Sequence, residues 1–368
     1  MNPDTLFTFP MEQHDTIIIG AGLSGIYAAF LLAKKGEPFI MLEARDRVGG
    51  RILSPAYNGY AADLGPSWFW PDINPRITGL VEMLGLTGYP QYDTGNGRFQ
   101  TMDGRVQTIS RCPMEPEAWR ISGGMITLVD GLQKTIPEDT IQLNHPVCEI
   151  TRKGNHALVN VGKPGHPPCC QYQSSRIILA LPPRLAAATI LFTPDLSWEM
   201  TQAMLKTNTW MAGQAKFFAL YDVADWRDAG FSGQAFSQFG PLGEIHDGSN
   251  HAGGPFGLTG FVGIPAAQRR NKQVVIQSTL QQLHRLYGEK ADRPMTVFYT
   301  DWALEKYTAT EYDQRAAHDH PRYHPPSGHS CIWDGILCFA GSETSDVFGG
   351  YLEGALASAE RSVSAAFP

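Results

Sequence analysis

The segment Thr16-Ile-Ile-Ile-Gly20-Ala-Gly22-Leu-Ser-Gly25 decides the fold. Its β-branched start predicts a short buried strand, and the apolar residues that follow, up to Gly36, predict a helix. Gly20 permits a tight turn, Gly22 lets the backbone approach a pyrophosphate, and Gly25 lets helix and strand pack closely. The segment therefore predicts a dinucleotide-binding unit with the phosphates at the helix N-terminus.

A second apolar run indicates which dinucleotide the unit binds. Residues 39–42 predict a buried strand that ends at Glu43, where a ribose-binding acid belongs. A carboxylate there disfavours a ribose 2′-phosphate, because two anionic groups would meet. NADP is therefore disfavoured, and NAD and FAD both stay open at this point.

Composition excludes several classes of protein. The chain has 368 residues with 43% hydrophobic and 18% charged residues, which favours a folded protein with a sizeable core. Its formal charge of −7, without a basic run longer than a pair, is unsuited to nucleic-acid binding. Six cysteines are too few for a disulfide scaffold, so we expect reduced thiols in a cytoplasmic protein. No export signal or membrane anchor is expected either.

The residues after Glu43 resemble a known family. The run Glu43-Ala44-Arg45-Asp-Arg47-Val-Gly49-Gly50-Arg51 is similar to the second fingerprint of the flavin amine oxidases. Residues 209–221, 242–248 and 257–262 look most like the bacterial monoamine oxidase type. The resemblance implies FAD as cofactor, with Glu43 on the adenosine ribose and Arg45 and Arg51 beside the pyrophosphate. Asp63-Leu-Gly65-Pro66-Ser67-Trp68 resembles the family's segment at the flavin ring, with Pro66 where a glycine is usual.

The C-terminal part resembles the family's closing motif. It reads Gly341-Ser342-Glu343-Thr, followed by Gly349-Gly350-Tyr351-Leu352 and a predicted helix. The resemblance implies that both ends of the chain meet at one FAD, with the N-terminus of this last helix at the pyrimidine edge of the flavin. The cofactor-binding residues that we predict are Gly20, Gly22, Leu23, Ser24, Gly25, Glu43, Ala44, Arg45, Gly50, Arg51, Gly65, Pro66, Ser67, Trp68, Val147, Trp302, Gly341, Ser342, Glu343, Gly350, Tyr351 and Leu352.

The segment from Trp302 to Tyr312 resembles the part of the family that carries a covalent flavin cysteine in mitochondrial monoamine oxidases. Counted from Trp302, the cysteine position is Glu311 in this chain. A carboxylate does not form a thioether, so we expect non-covalent FAD.

Three residues are the predicted catalytic set. Lys216 matches a buried family lysine that is hydrogen-bonded through water to flavin N5, although a lysine in a strand is by default exposed at a sheet edge. Tyr312 and Tyr351 match two aromatic positions that flank the amine, although most half-buried tyrosines simply pack. A desolvated Lys216 would have a lowered pKa and could assist proton movement.

Metal and hydrolase chemistry are not indicated. None of the histidines has metal-ligand spacing, and His318, His320 and His324 lie in a Pro-rich segment where we expect them to be solvated. No nucleophile elbow of the Gly-x-Ser-x-Gly type is present in the sequence.

The resemblance implies an α/β fold: a Rossmann-type FAD-binding domain of the glutathione reductase-like superfamily with an interleaved α+β substrate-binding domain. We place the FAD-binding domain at residues 1–75, 138–190 and 295–368, and the substrate-binding domain at 76–137 and 191–294.

The expected function is oxidation of a primary, hydrophobic or aromatic amine, with O2 as the second substrate and hydrogen peroxide as product. An L-amino acid oxidase would need an arginine for the substrate carboxylate, and Arg98 or Arg120 could serve. A polyamine oxidase would need carboxylates along its tunnel. The remaining alternative is a desaturase or dehydrogenase like the carotenoid and porphyrinogen enzymes.

Overall fold

The computed structural model describes residues 11–163, 165–314 and 320–367. In these residues the strands are β1 (Met11–Ile19), β2 (Phe39–Leu42), β3 (Ala56–Tyr57), β4 (Tyr60–Ala61), β5 (Gly88–Pro90), β6 (Asn96–Gln100), β7 (Val106–Ile109), β8 (Trp119–Ile121), β9 (Ile141–Gln142), β10 (Val147–Lys153), β11 (His156–Val161), β12 (Cys170–Leu179), β13 (Leu191–Thr193), β14 (Ala215–Tyr221), β15 (Phe231–Ser237), β16 (Leu242–Asp247), β17 (Phe256–Val262), β18 (Thr296–Asp301), β19 (Cys331–Ile332) and β20 (Leu337–Phe339). The α-helices are α1 (Leu23–Lys35), α2 (Pro75–Met83), α3 (Ile126–Gln133), α4 (Pro183–Thr189), α5 (Trp198–Lys206), α6 (Asp225–Asp228), α7 (Lys272–Tyr287) and α8 (Leu352–Ala366).

The chain divides into two compact, discontinuous units. Unit 1 comprises residues 1–50, 129–209 and 321–368, and unit 2 comprises residues 51–128 and 210–320. The domain bounds that we inferred from the sequence remain a prediction.

Unit 1 is built on a mixed sheet whose described strands number nine, with β13-β10-β11-β12-β1-β2-β9 in order, β20 beside β12 and β19 beside β20. The strands β12, β1, β2 and β9 run parallel. Ile17, Ile19, Ile40 and Leu42 are buried in its core, as expected for parallel strands that are covered on both faces. The predicted α/β class is confirmed.

Unit 2 contains a second sheet, with its described strands in the order β18-β14-β17-β16-β15-β6-β7. Its central pairs β14–β17 and β16–β17 are antiparallel. Helix α7 packs on one face through Val275, Leu283 and Leu286, which join the apolar core of this unit. Strand β14 therefore lies inside the sheet, between β18 and β17.

One disulfide corrects the prediction that the thiols are reduced. Cys331 and Cys338 are bonded to each other, with Cα atoms 4.0 Å apart. They face each other across the antiparallel pair β19–β20, a geometry that brings two cysteines within bonding range. Cys112, Cys148, Cys169 and Cys170 are free.

The helices of the described ranges include none that combines the length and apolar character needed to cross a membrane.

Candidate active site

The turn between β1 and α1 has the positive φ angle and the close backbone contact that its glycines predict. Gly20 has a φ of +100°, and a Cβ at Gly25 would overlap the carbonyl oxygen of Gly20. Gly22 caps α1 without any side-chain hydrogen bond, and a Cβ there would meet nothing within 4 Å. The backbone at Gly22 therefore borders open space, and the first turn of α1 carries no acidic residue, so this helix end suits an anionic group.

Glu43 follows β2 beside this turn. It is 3% exposed, and its Oε2 and Oε1 atoms accept hydrogen bonds from the backbone amides of Ala21 and Arg45, both over 2.8 Å. The guanidinium of Arg45 lies 3.8 Å from the same carboxylate. Ala44, the residue between Glu43 and Arg45 in the sequence, is half-buried. These contacts hold the acid at the end of β2, where a ribose hydroxyl would meet it.

The closing motif lies against the first fingerprint within unit 1. Ser24 and Ser358 both donate hydrogen bonds from Oγ to the carbonyl oxygen of Ala340, the latter over 2.7 Å. This contact ties α1 and α8 to the end of β20. The two motifs therefore contact each other in unit 1, and their binding of one FAD stays a prediction.

The other predicted residues of unit 1 lie around this junction. Gly341 precedes a short 3₁₀ helix in which Ser342 donates a hydrogen bond to the buried carboxylate of Glu343 over 2.8 Å. Gly350 has a φ of +82°, which favours glycine. Tyr351 caps α8, which starts at Leu352, and burial raises the pKa of the Tyr351 phenol.

Val147 opens β10 at the edge of the unit 1 core.

In unit 2, Lys216 is buried rather than exposed. It lies on β14, is 2% exposed, and donates hydrogen bonds from Nζ to the carbonyl oxygen of Gly65 over 2.8 Å and to Ser67 Oγ. The alternative of an exposed lysine at a sheet edge is therefore wrong, because β14 has a neighbour on each side. Burial lowers the pKa of Lys216 to about 7.

The segment 63–68 provides the partners of Lys216 and is itself held firmly. The indole of Trp302 donates a hydrogen bond to the carbonyl oxygen of Leu64 over 2.9 Å, and the indole of Trp68 donates to Gln91 Oε1 over 2.6 Å. A Cβ at Gly65 would overlap the carbonyl oxygen of Arg51, which explains the glycine.

Two further residues of this part were predicted to bind FAD, Arg51 at the pyrophosphate and Pro66 at the flavin ring. Arg51 donates a hydrogen bond to the carbonyl oxygen of Trp210 over 3.0 Å. Pro66 is half-buried and contributes no backbone donor.

A row of side chains crosses the sheet of unit 2 at Lys216. Phe261 on β17 pairs with Lys216 on one side and with Glu244 on β16 on the other, so all three point to one face. The Lys216 Nζ lies 5.3 Å from the ring of Phe261 and 5.4 Å from that of Trp68. The face therefore combines a buried amine, two aromatic rings and a carboxylate.

The carboxylate of Glu244 in this row is hydrogen-bonded to a neighbouring histidine, His246. His246 lies two residues along β16, 2.6 Å from Glu244 through Nε2, with its ring 5.0 Å from the ring of Trp68 in an edge-on arrangement. The Glu244 side chain is 43% exposed, whereas that of His246 is 4% exposed. Hydrogen bonding to His246 lowers the pKa of Glu244.

Sequence reasoning assigned no role to Phe261, Glu244 or His246. The polar residues at alternate positions of β16 are a signal that could have singled out Glu244 and His246.

The two predicted aromatic partners of the amine lie in different units. Tyr312 belongs to unit 2, in a 3₁₀ helix at residues 311–313, and is 62% exposed. Tyr351 belongs to unit 1. Their pairing around an amine stays a prediction. Glu311, at the position of the covalent cysteine, is exposed.

The arginines considered for a substrate carboxylate have other surroundings. Arg120 is 2% exposed and lies 3.7 Å from the carboxylate of Asp63. Arg98 donates a hydrogen bond to Thr108 over 3.0 Å and stacks over the ring of Phe231. Arg120 therefore already faces a buried carboxylate.

The histidines of the Pro-rich segment are described only in part. His320 is exposed, with its ring 4.5 Å from that of Trp210, and His324 is exposed. His318 lies outside the described residues. Within the described ranges, no group of three or more His, Cys, Asp or Glu side chains could hold a metal ion.

The glycine turn, the buried acid and the α/β sheet define unit 1 as a Rossmann-type dinucleotide-binding unit. Comparison with known proteins supports this class and narrows it. The family model described as flavin containing amine oxidoreductase matches residues 106–366, and the model for an NAD(P)-binding Rossmann-like domain matches residues 18–84. The chain belongs to the flavin-containing amine oxidoreductase family.

Individual relatives extend over nearly the whole chain. A probable flavin-containing monoamine oxidase A from Dictyostelium discoideum is 25% identical, over 95% of this chain and 96% of that protein. A putrescine oxidase from Kocuria rosea is also 25% identical, over 95% of both chains. The solved structure of cyclohexylamine oxidase from Brevibacterium oxydans IH-35A aligns with a TM-score of 0.80 at 20% identity, over 96% of this chain and 98% of that one.

The chain is therefore a flavin-dependent amine oxidase with FAD as its cofactor, an enzyme class that acts on amines with oxygen as acceptor. The resemblance to this family is confirmed. The open space at Gly22 and the fixed carboxylate of Glu43 fit the pyrophosphate and ribose of FAD.

Proposed function

We propose that the chain oxidises a primary amine with a hydrophobic or aromatic side chain. The amine, O2 and water give an aldehyde, ammonia and hydrogen peroxide. The observation that carries the proposal is the buried Lys216, held against Gly65 and Ser67 on a face that also presents Trp68 and Phe261. When bound, FAD supplies the redox chemistry by accepting a hydride equivalent from the amine carbon.

Lys216 is the proposed site of proton exchange. An amine with a pKa of about 7 gains or loses a proton readily at neutral pH. Its hydrogen bonds to Gly65 and Ser67 fix the Nζ atom, so the proton is held at one position. The surrounding rings keep water away and present an apolar surface to the side chain of the amine.

The residues predicted to hold FAD, and Tyr312 and Tyr351 as partners of the amine, are part of this proposal. We propose that FAD is bound without a covalent link, because Glu311 replaces the cysteine of the covalent members. Acid precipitation tests this point: the flavin colour should pass into the supernatant, and a coloured pellet would refute it. A cytoplasmic location is also proposed from the sequence; the reduced thiols on which it was based are found at four of the six cysteines, since Cys331 and Cys338 are bonded.

A second candidate function is favoured by Glu244. Its carboxylate lies in the same row as Lys216 and is partly exposed, so it could bind a second ammonium group. The substrate would then be a diamine, oxidised at one end and anchored at the other.

The experiment that tests the function is a substrate panel under air. FAD-loaded protein is mixed with benzylamine, hexylamine, 1,4-diaminobutane and an L-amino acid, and hydrogen peroxide and aldehyde are measured. Apolar amines should give equal amounts of both products. Turnover of 1,4-diaminobutane alone would favour the second candidate, and turnover of the amino acid alone would contradict both.

A further inference from the structure

A buried pair of charges, Asp63 and Arg120, lies next to the segment that holds Lys216. Asp63 is 1% exposed and Arg120 is 2% exposed. We propose that Arg120 is a positioning residue for Lys216: it holds Asp63, whose segment carries the hydrogen-bond acceptors of Lys216, and it offsets the negative charge of Asp63. The proposal rests on the proposed role of Lys216, but its test does not require turnover.

Asp63 anchors the segment by its own hydrogen bonds. Its Oδ1 atom accepts from Ser54 Oγ over 2.6 Å and from the backbone amide of Met125 over 2.9 Å, and its Oδ2 atom lies 3.7 Å from Arg120 Nη2. Gly65 follows two residues later and accepts from Lys216. A shift at Asp63 would therefore move the acceptors of Lys216.

The charge of Arg120 is only partly compensated. Its Nε and Nη1 atoms are buried and have no hydrogen-bond partner among the described residues. The phenols of Tyr60 and Tyr89 are the other titratable groups beside it. The guanidinium also has a side-chain hydrogen bond with Tyr89, but the one carboxylate that it pairs with, Asp63, lies at 3.7 Å. A buried positive charge compensated in this way acts on nearby buried groups over longer range.

Three charged groups act on Lys216 besides its burial, and they oppose one another. The carboxylates of Asp63 and Glu244 raise its pKa, whereas the guanidinium of Arg120 lowers it. Removal of Asp63 and removal of Arg120 should therefore change the proton affinity of Lys216 in opposite directions. A purely structural role would not give opposite signs.

The test is a direct titration of the Lys216 amine by NMR, in FAD-loaded protein without any amine substrate. Lysine is labelled with 13C at Cε, and the Lys216 signal is assigned by its loss in Lys216→Met. Asp63→Asn should lower the proton affinity of Lys216 about tenfold, which is about one pKa unit, and Arg120→Met should raise it by a similar factor. The double variant Asp63→Asn/Arg120→Met should return close to the wild-type value.

Two controls keep the result interpretable. Arg227→Met breaks another charge pair in unit 2, between the half-buried Arg227 and the buried Asp247 at 2.8 Å, and should leave the pKa of Lys216 unchanged. If Arg120→Met does not fold, the comparison of Asp63→Asn with the double variant isolates Arg120, and the double variant should show the higher proton affinity. Shifts of the same sign in both single variants, or no shift in either, would overturn the proposal. Because the titration involves no substrate, a failure of the proposed amine oxidation would leave this result standing.

Discussion

The Nζ atom of Lys216 lies 2.8 Å from the carbonyl oxygen of Gly65, inside a sheet where its side chain is almost completely buried. An ammonium in that position loses most of its hydration, and a carbonyl and a hydroxyl replace only part of it. The protein thus maintains an amine that is easily deprotonated, at a cost in stability that depends on pH.

Replacement of Lys216 by Met should reveal that cost. The pKa of Lys216 is about 7 in the folded protein and 10.5 ordinarily, so the unfolded chain binds more protons between these values. The stability of the wild-type protein should therefore rise with pH across this window. The Lys216→Met variant should be more stable than wild type, by on the order of a few kcal/mol in free energy of unfolding at and below pH 7. This difference should disappear as the pH approaches 10.

Urea unfolding at several pH values measures this difference. Lys206→Met, at an exposed lysine at the end of α5, is the matched control and should show no comparable trend. A stability difference between Lys216→Met and wild type that does not change with pH would contradict the lowered pKa of Lys216.

Gly22→Ala should separate cofactor binding from folding. A Cβ at Gly22 meets no protein atom within 4 Å, so the protein without FAD should unfold at the same temperature as wild type. The same Cβ would occupy the space assigned to the pyrophosphate, and FAD affinity should fall about tenfold or more.

Fluorescence titration of FAD into the apoprotein tests this prediction. Gly79→Ala is the control, because a Cβ there also meets nothing within 4 Å and the residue lies in α2, outside the glycine fingerprint. Wild-type FAD affinity in Gly22→Ala would contradict the placement of the pyrophosphate.

Glu244→Gln distinguishes the two candidate functions. If the substrate is an apolar amine, removal of this charge should change kcat/KM for hexylamine little when it is measured well above pH 7. An apolar side chain gains nothing from a carboxylate, and Lys216 is already deprotonated at that pH, so a further fall of its pKa has little effect. If the substrate is a diamine, kcat/KM for 1,4-diaminobutane should fall about tenfold or more through loss of a charge-assisted hydrogen bond.

The exposed Glu289, which pairs with Arg293 on the surface, offers the control variant Glu289→Gln. An equal fall of kcat/KM for hexylamine and for 1,4-diaminobutane in Glu244→Gln would contradict both expected outcomes.

The disulfide makes a separate prediction about the thiols. Denatured but unreduced protein should react with a thiol reagent at four cysteines rather than six, because Cys331 and Cys338 are bonded. The loop closed between them is short, with a sequence separation of 7, so Cys331→Ser/Cys338→Ser should lose about 2 kcal/mol of stability. Six reactive thiols would show that the bond does not form under the conditions of expression.

The features that the sequence predicted best are those that depend on the local backbone conformation. The roles of Gly20 and Gly25 follow from one turn, where positive φ and close approach leave room for hydrogen alone. The position of Glu43 was predicted from where a single short strand, residues 39–42, ends. These residues lie near each other in sequence, so a spacing rule was sufficient.

The surroundings of Lys216 depend on contacts between distant strands. Alternation along β14 indicates a face but not whether the strand has a neighbour on each side. The row from Lys216 through Phe261 to Glu244 depends on the pairing register, which shifts between Leu242 and Glu244. Gly243 lies at this shift, and a glycine inside a strand can mark a bulge, but it does not determine which residues pair across the sheet.

The disulfide was missed for a similar reason. Cys331 and Cys338 lie on two very short strands, of two and three residues, whose pairing gave no pattern in the sequence. Only that pairing places them opposite each other.

The central claim is that amines reduce the FAD of this protein and that oxygen restores it. The most direct measurement mixes FAD-loaded protein with amines in the absence of air and records the absorbance of oxidised flavin, and then admits air and measures peroxide. The account predicts rapid bleaching by at least one primary amine, at a rate that saturates with amine concentration, followed by recovery of the absorbance and release of one peroxide per flavin. Tightly bound FAD that no amine bleaches would contradict it.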